Sequence, residues 1–181
     1  MIRHALIAAL MVGFATPAFA QGKAFADALV RMHAGVSRNA VEAAEKMPEA
    51  EFAFTPSKDV RTFGGFIGHI ANSEFNYCAR AKGEANPNKE DFEKATGKAA
   101  LVAGIKAAAA YCDAVYKGMT DTALSEMVAM GQSQQPRGQI LVQNISHTNE
   151  HYGNLVTYMR IKGIVPPSTE RATAPARPGV R

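Results

Sequence analysis

The stretch KGEANPNKEDFEKATG, residues 82–97, is polar, turn-rich and sixteen residues long. It separates two runs with helical spacing, and its length decides how they can pack. Extended at ~3.3 Å per residue it reaches ~50 Å, whereas a helix of ~20 residues is ~30 Å long. Such a connector can cross the whole length of a bundle. The helix that follows it can then start parallel to the helix that precedes it, which a tight turn would forbid.

Working outward, the run before the connector predicts a helix from Phe63 to about Ala81, with Thr62 as its cap despite the Gly64-Gly65 pair. The run after it predicts an alanine-rich helix from about Lys98 to Tyr116, with Gly118 just past its end. Upstream, Phe25, Leu29, Met32, Val36, Ala40, Ala43 and Ala44 recur at three- and four-residue steps, giving a first helix over Lys23–Met47 that Pro48 ends. Downstream, residues 120–128 read as a short helix and GQSQQP, residues 131–136, as a loop. Pro136 suits the first turn of a fourth long helix, which runs to Lys162 and is closed by Gly163 and Pro166-Pro167. No stretch alternates convincingly with a period of two. The reading is an all-α four-helix bundle over residues 21–167, up-down-down-up, with a long crossover between helices 2 and 3. STERATAPARPGVR, residues 168–181, reads as a disordered Pro/Ala/Arg-rich tail.

Cys78 falls near the end of helix 2 and Cys112 near the end of helix 3. Parallel helices put both at one end of the bundle, whereas antiparallel ones separate them by roughly 20 Å. A disulfide requires Cα atoms within ~7 Å, so the crossover makes a Cys78–Cys112 bridge feasible. Two separate buried thiols, packing as small apolar groups, are the alternative.

The first twenty residues, MIRHALIAALMVGFATPAFA, have a basic start at Arg3, an apolar run from Ala5 to Phe14 and a small-x-small end at Ala18-Phe19-Ala20. That pattern is a secretory signal peptide cleaved after Ala20, and it points to the periplasm, where cysteines can pair. A retained N-terminal anchor is the alternative. The apolar run is too short to span a bilayer and no second span is expected, so no stable membrane insertion follows cleavage. Without Arg3 the formal charge falls from +4 to +3. Lys and Arg are scattered, with no block of like charge, which argues against nucleic acid as a partner.

The chemistry concentrates in ISHTNEHYG, residues 145–153. His147 and His151 are four apart on a helix, about 40° apart on one face, a spacing that lets both grip one ion. Gln143, Asn144 and Asn154 make the same face polar. A catalytic metal site of this kind takes a third ligand. His69, mid-helix in TFGGFIGHIANSEF with Thr62, Ser73 and Asn76 on its face, is the candidate. His33 on helix 1 reads as a surface or hydrogen-bonded residue. His147-x-x-Glu150-His151 also has the form of an inverted zinc-peptidase motif. That chemistry needs a further acidic ligand downstream, and only Glu170, in the tail, is available.

Two stretches, VRTFGGFIGHIANSEFNYC (60–78) and ISHTNEHYGNLVTYMRIKGIVPPST (145–169), resemble the DinB-like superfamily of small four-helix proteins. The second carries H-x-x-x-H-x-G-x-L…R-x-x-G…P-P on His147, His151, Gly153, Leu155, Arg160, Gly163, Pro166 and Pro167, extended by Tyr152 and Asn154. The likeness spans roughly residues 24–167. It implies the same bundle topology, one divalent ion (zinc or nickel) on His69, His147 and His151, and a homodimer. Some members transfer or isomerise using low-molecular-weight thiols. Many members have a second His or an Arg after the third ligand, and glutamine where this chain has Asn154. An exported location also departs from those cytosolic thiols.

The expectation is an exported divalent-metal protein, a metal-dependent hydrolase or transferase with three histidines, an open water position and a small-molecule substrate. Asn76, Asn144 and Asn154 are expected to orient the imidazoles or the substrate. Glu150 and Tyr152 are the acid–base candidates. The alternatives are a non-catalytic metal- or small-molecule-binding protein and an interaction module whose site has decayed. Ligand histidines must be neutral, so metal affinity is expected to fall as pH drops through about 6.5.

Overall fold

The structure is a computed structural model, and residues 22–174 of it are described. The signal-peptide reading and the end of the tail lie outside the described residues. Four long helices form the body: α1 (Ala24–Lys46), α2 (Phe63–Lys82), α3 (Lys98–Lys117) and α5 (Arg137–Ile161). Between α3 and α5 come the one-turn α4 (Asp121–Leu124) and the strands β1 (Met127–Met130) and β2 (Ser133–Pro136), and α6 (Pro167–Thr173) follows α5.

Local chemistry explains the helix ends. Thr62 Oγ1 accepts a hydrogen bond from the Gly65 amide at 3.0 Å, capping α2. Gly83, at φ 80°, closes α2 in the left-handed region that favours glycine. The sequence-based limits of the four long helices agree with the observed ones to within a residue or two, the precision expected of helix ends.

Packing is up-down-down-up. Gly64 and Leu101 meet at the starts of α2 and α3. At the other ends of these helices Cys78 and Cys112 are bridged, with Cα atoms 5.4 Å apart. α2 and α3 are therefore parallel. Lys98 at the start of α3 donates to the carbonyls of Glu45 and Met47 at the end of α1. Tyr158 near the end of α5 donates to the Arg61 carbonyl just before α2. α1 and α5 thus run opposite to the α2–α3 pair.

The interior has two apolar clusters, one at each end of the bundle. One holds Phe63, Ile67, Leu101, Ile105, Leu155 and Met159, and the other Leu29, Ala81, Val115, Leu124, Ile140 and Leu141. The fully buried polar residues His33, Glu74, Asn144 and Thr148 complete the interior.

The crossover is seated through glycine. A Cβ on Gly68 would lie 2.3 Å from the Phe92 carbonyl oxygen, and one on Gly104 would lie 2.6 Å from the Phe92 ring. Phe92 therefore drops into a notch between α2 and α3 that any larger residue would fill. Asn72 clamps the same segment, donating to Asp91 Oδ1 at 2.8 Å and accepting from the Phe92 amide at 3.0 Å.

Three sequence expectations need correction. Residues 127–136 form a two-stranded antiparallel hairpin turning at Gly131, φ 63°, where a short helix running into a loop was expected. A ribbon this short offers too few residues for a period of two to register. Residues 168–173 of the expected disordered tail form all but the first residue of α6, which pairs Arg171 with Glu42 and Asn39, and Glu170 with Lys46. The partners lie on α1, more than 120 residues away, beyond the reach of any local pattern. Finally, α3 meets the length and hydropathy of a membrane span. Its alanines supply that hydropathy while it packs between α1 and α2, and core helices commonly pass the same test.

Candidate metal centre

His69 on α2 and His147 and His151 on α5 face one another. His69 Nε2 and His151 Nε2 each lie 3.1 Å from His147 Nε2. Ligands at the usual zinc–nitrogen distance around a tetrahedral ion are about 3.3 Å apart, so the spacing suits three imidazoles on one ion. All three residues are partly buried.

The hydrogen bonding around the rings sharpens this. Glu93, delivered by the crossover directly after Phe92, has Oε1 2.8 Å from His69 Nδ1. That carboxylate fixes the proton on Nδ1 and leaves Nε2 with its lone pair. In a neutral ring, His147 Nε2 carries either one proton or one lone pair. It has one proton or one lone pair to share between two neighbours at 3.1 Å, so it cannot make a full hydrogen bond to both. A cation among the three nitrogens relieves both contacts at once. The residues therefore fit a divalent ion.

Burial, reinforced by His151, His69 and Arg61, pushes His147 down to about 4. Burial, with His69, also lowers His151. Burial alone would raise Glu93, but its hydrogen bond with His69 and the Arg61 guanidinium, 3.5 Å away, hold it below the usual carboxylate range. The His147 and His151 rings are thus kept neutral and ready to ligate.

An unfolded histidine titrates near 6.5, so between pH 6.5 and 4 the unfolded chain binds more protons than the folded one. Chelator-treated protein is expected to lose stability as pH falls through 6.5, with the loss levelling below about 4. Urea denaturation at pH 7, 5.5 and 4.5 reads this, and unchanged midpoints would refute it. Proton competition for His147 accordingly sets in below the pH 6.5 anticipated from an ordinary histidine.

The orienting residues named from sequence divide. The Asn154 amide lies 3.3 Å from His151 Nδ1 and is placed to orient that ring. With Nε2 on an ion, Nδ1–H donates, and the amide must present its oxygen. Asn144 is not at the centre. It is fully buried, and its amide nitrogen donates to the Tyr116 hydroxyl at 3.2 Å beside the disulfide sulfurs. Asn76 is exposed and accepts from Asn86 at 2.9 Å. Both share a helical face with a histidine by spacing, but a turn or more away along the axis their side chains meet other elements.

Of the two acid–base candidates, Glu150 is exposed, off the converging face. The Tyr152 hydroxyl is buried and donates to Ser168 Oγ at 2.8 Å while accepting from the Ser168 amide, so it anchors the start of α6. His33 is fully buried and hydrogen-bonded. Sequence reasoning missed Glu93 and Arg61, which had no periodic signal. It saw Gln143 without a role. Gln143 Oε1 and His147 Nδ1, one turn apart, are both buried without a hydrogen-bond partner among the described residues.

Glu93→Gln keeps the side chain's shape but removes the charge that orients His69. It is expected to weaken zinc binding about 10- to 100-fold, the usual effect of losing such a partner. Competition with a chromophoric chelator measures this, and an unchanged affinity would show Glu93 to be incidental.

A four-helix bundle with a three-histidine centre between its second and fourth long helices defines a class of small α-helical proteins. The chain belongs to the DinB superfamily, whose family model matches residues 34–155. No curated protein matches it. Among solved structures it is similar to a DinB-like protein from Bacillus cereus ATCC 10987, with TM-score 0.67, 17% identity, and coverage of 78% of this chain and 95% of that one. It is also similar to a DinB-like protein from Bacillus subtilis, with TM-score 0.63, 22% identity, and coverage of 75% and 92%. At these identities the likeness shows the fold.

Proposed function

We propose that this chain is an exported metalloprotein in which His69, His147 and His151 hold one zinc or nickel ion with a coordination position left open, and that it hydrolyses or transfers a group on a small molecule. The convergence of three Nε2 atoms, with His69 locked by Glu93, carries the reading. An ion held by three imidazoles supplies Lewis acidity and acidifies water at its open position. The chain's own residues prepare for it. Glu93 and Asn154 orient two rings, and Gln143 offers the acceptor that His147 Nδ1–H needs once Nε2 is engaged. Arg61 stands beside Glu93 with its guanidinium half-exposed, a positive charge beside the metal ligands that favours an anionic substrate. The leader composition and the Cys78–Cys112 bridge support export.

A second reading, a periplasmic protein that binds a metal or small molecule without turnover, is favoured by one observation. The Tyr152 hydroxyl is engaged in anchoring α6 and Glu150 is exposed to solvent, so neither is held at the centre as an acid or base. Elemental analysis of protein purified from the periplasm, followed by ester, amide and thiol-transfer substrates, separates the readings. One zinc or nickel per chain with turnover supports the enzyme. Metal without turnover supports the binder, and no metal after exposure to both ions refutes both. The homodimer implied by the resemblance is read from sedimentation of the same preparation.

A further inference from the structure

A second polar cluster lies inside the bundle, apart from the three histidines. His33 of α1, Glu74 of α2 and Cys112 of α3 are each 0% exposed. Asp113 Oδ1 lies 3.1 Å from His33 Nδ1, so that nitrogen carries the proton and donates it outward. The other nitrogen, Nε2, then presents its lone pair to Glu74 Oε1 at 3.6 Å. The Tyr116 ring stacks on the imidazole at 4.3 Å and fixes its plane. Neither His33 Nε2 nor either Glu74 oxygen has a hydrogen-bond partner among the described residues.

Two acceptors thus face each other where solvent does not reach, an arrangement that requires a positive species between them. A proton meets that need while Cys112 is bridged to Cys78. The sulfur of Cys112 is the third atom of the group. It, a His33 ring nitrogen and a Glu74 oxygen all lie within 4.8 Å of one another. A carboxylate and a thiolate together neutralise a divalent charge, and one nitrogen, one oxygen and one sulfur suit zinc.

We propose that His33, Glu74 and Cys112 form a second, redox-gated metal site, closed while the Cys78–Cys112 disulfide is intact and opened to a divalent ion by its reduction. A dithiol supplies the two electrons. Its own sulfurs become a disulfide, the Cys78–Cys112 bond breaks, and both cysteines are released as thiols. As the ion binds, Cys112 gives its proton to solvent, and so does the His33–Glu74 pair whose shared proton the ion replaces. Asp113 acts as a positioning residue, holding the His33 tautomer from outside.

Cobalt(II) tests this independently of the three-histidine centre, which has no sulfur ligand. Full-length oxidised protein, protein reduced with a trialkylphosphine and then desalted, and the Cys78→Ala variant are titrated with cobalt. Thiolate-to-cobalt charge-transfer absorption, with the intensity of one thiolate site per chain, is expected in the reduced protein and in Cys78→Ala and not in the oxidised protein. Glu74→Gln in the reduced state is expected to weaken that binding at least tenfold. Cys112→Ala is expected to remove the absorption. Circular dichroism follows folding throughout, so a misfolded Cys78→Ala leaves the reduced wild type to decide. The proposal is overturned by folded, reduced protein without the absorption, meaning a proton only. Absorption that survives Cys112→Ala or is unmoved by Glu74→Gln also overturns it, as does unfolding on reduction.

Discussion

His147→Ala is expected to abolish zinc binding at micromolar metal, a loss of about 10³-fold or more. His147 is the ring both others approach, with the Nε2 atoms of His69 and His151 each 3.1 Å from its own. Without it two imidazoles remain on different helices, and a tetrahedral ion loses a third of its protein ligands. The effect should appear in heat stability too. An ion that binds only the folded state at a hundred times its dissociation constant stabilises by about 2.7 kcal/mol. For a chain of this size that raises Tm by roughly 5–10 °C. Zinc is expected to raise the Tm of the wild type by this amount and leave that of His147→Ala unchanged. A variant that still takes up one zinc per chain, with an unaltered Tm shift, would place the metal elsewhere.

Gly68→Ala is expected to have the next largest effect, because it damages stability and site together. The added Cβ would lie 2.3 Å from the Phe92 carbonyl oxygen, 2.6 Å from its carbon and 2.9 Å from the Glu93 nitrogen. These are backbone atoms, so no side-chain rotation relieves the clash and the crossover must move. Phe92 then leaves its place against Gly104, and Glu93 is carried away from His69 Nδ1. Overpacking of this kind costs about 2–3 kcal/mol. Zinc affinity should fall as far as in Glu93→Gln, about 10- to 100-fold. Gly35→Ala is the control. It lies within α1 with nothing within 4 Å of the added carbon, and it should stabilise by up to ~1 kcal/mol through helix propensity alone. Chemical denaturation and chelator competition on the two variants read both effects. Equal behaviour would mean that the crossover is not held at Gly68.

The contrast between these glycines shows which features a sequence carries. Both sit within helices and neither disrupts the pattern. The requirement for glycine at residue 68 exists only because Phe92, 24 residues later, folds back against it. The same holds for Glu93. It sits in a polar stretch without periodicity, yet it sets the tautomer of His69. Asn144 illustrates the reverse error. Its spacing puts it on the histidine face, but its amide meets Tyr116 and the disulfide instead.

The chain's order of residues was enough to determine what depends on neighbours within a few turns. This includes the four long helices with their caps and stops, the adjacency of His147 and His151, and a connector long enough to leave two helices parallel. Helical period and chain reach are local properties, so these were legible. The folded molecule alone decided which side chains meet across elements: Glu93 with His69, Phe92 in the Gly68–Gly104 notch, α6 on α1, and His33 facing Glu74 beside the disulfide. Such meetings depend on backbones approaching within a few ångströms after long loops close, a quantity that no short-range pattern of residue types encodes.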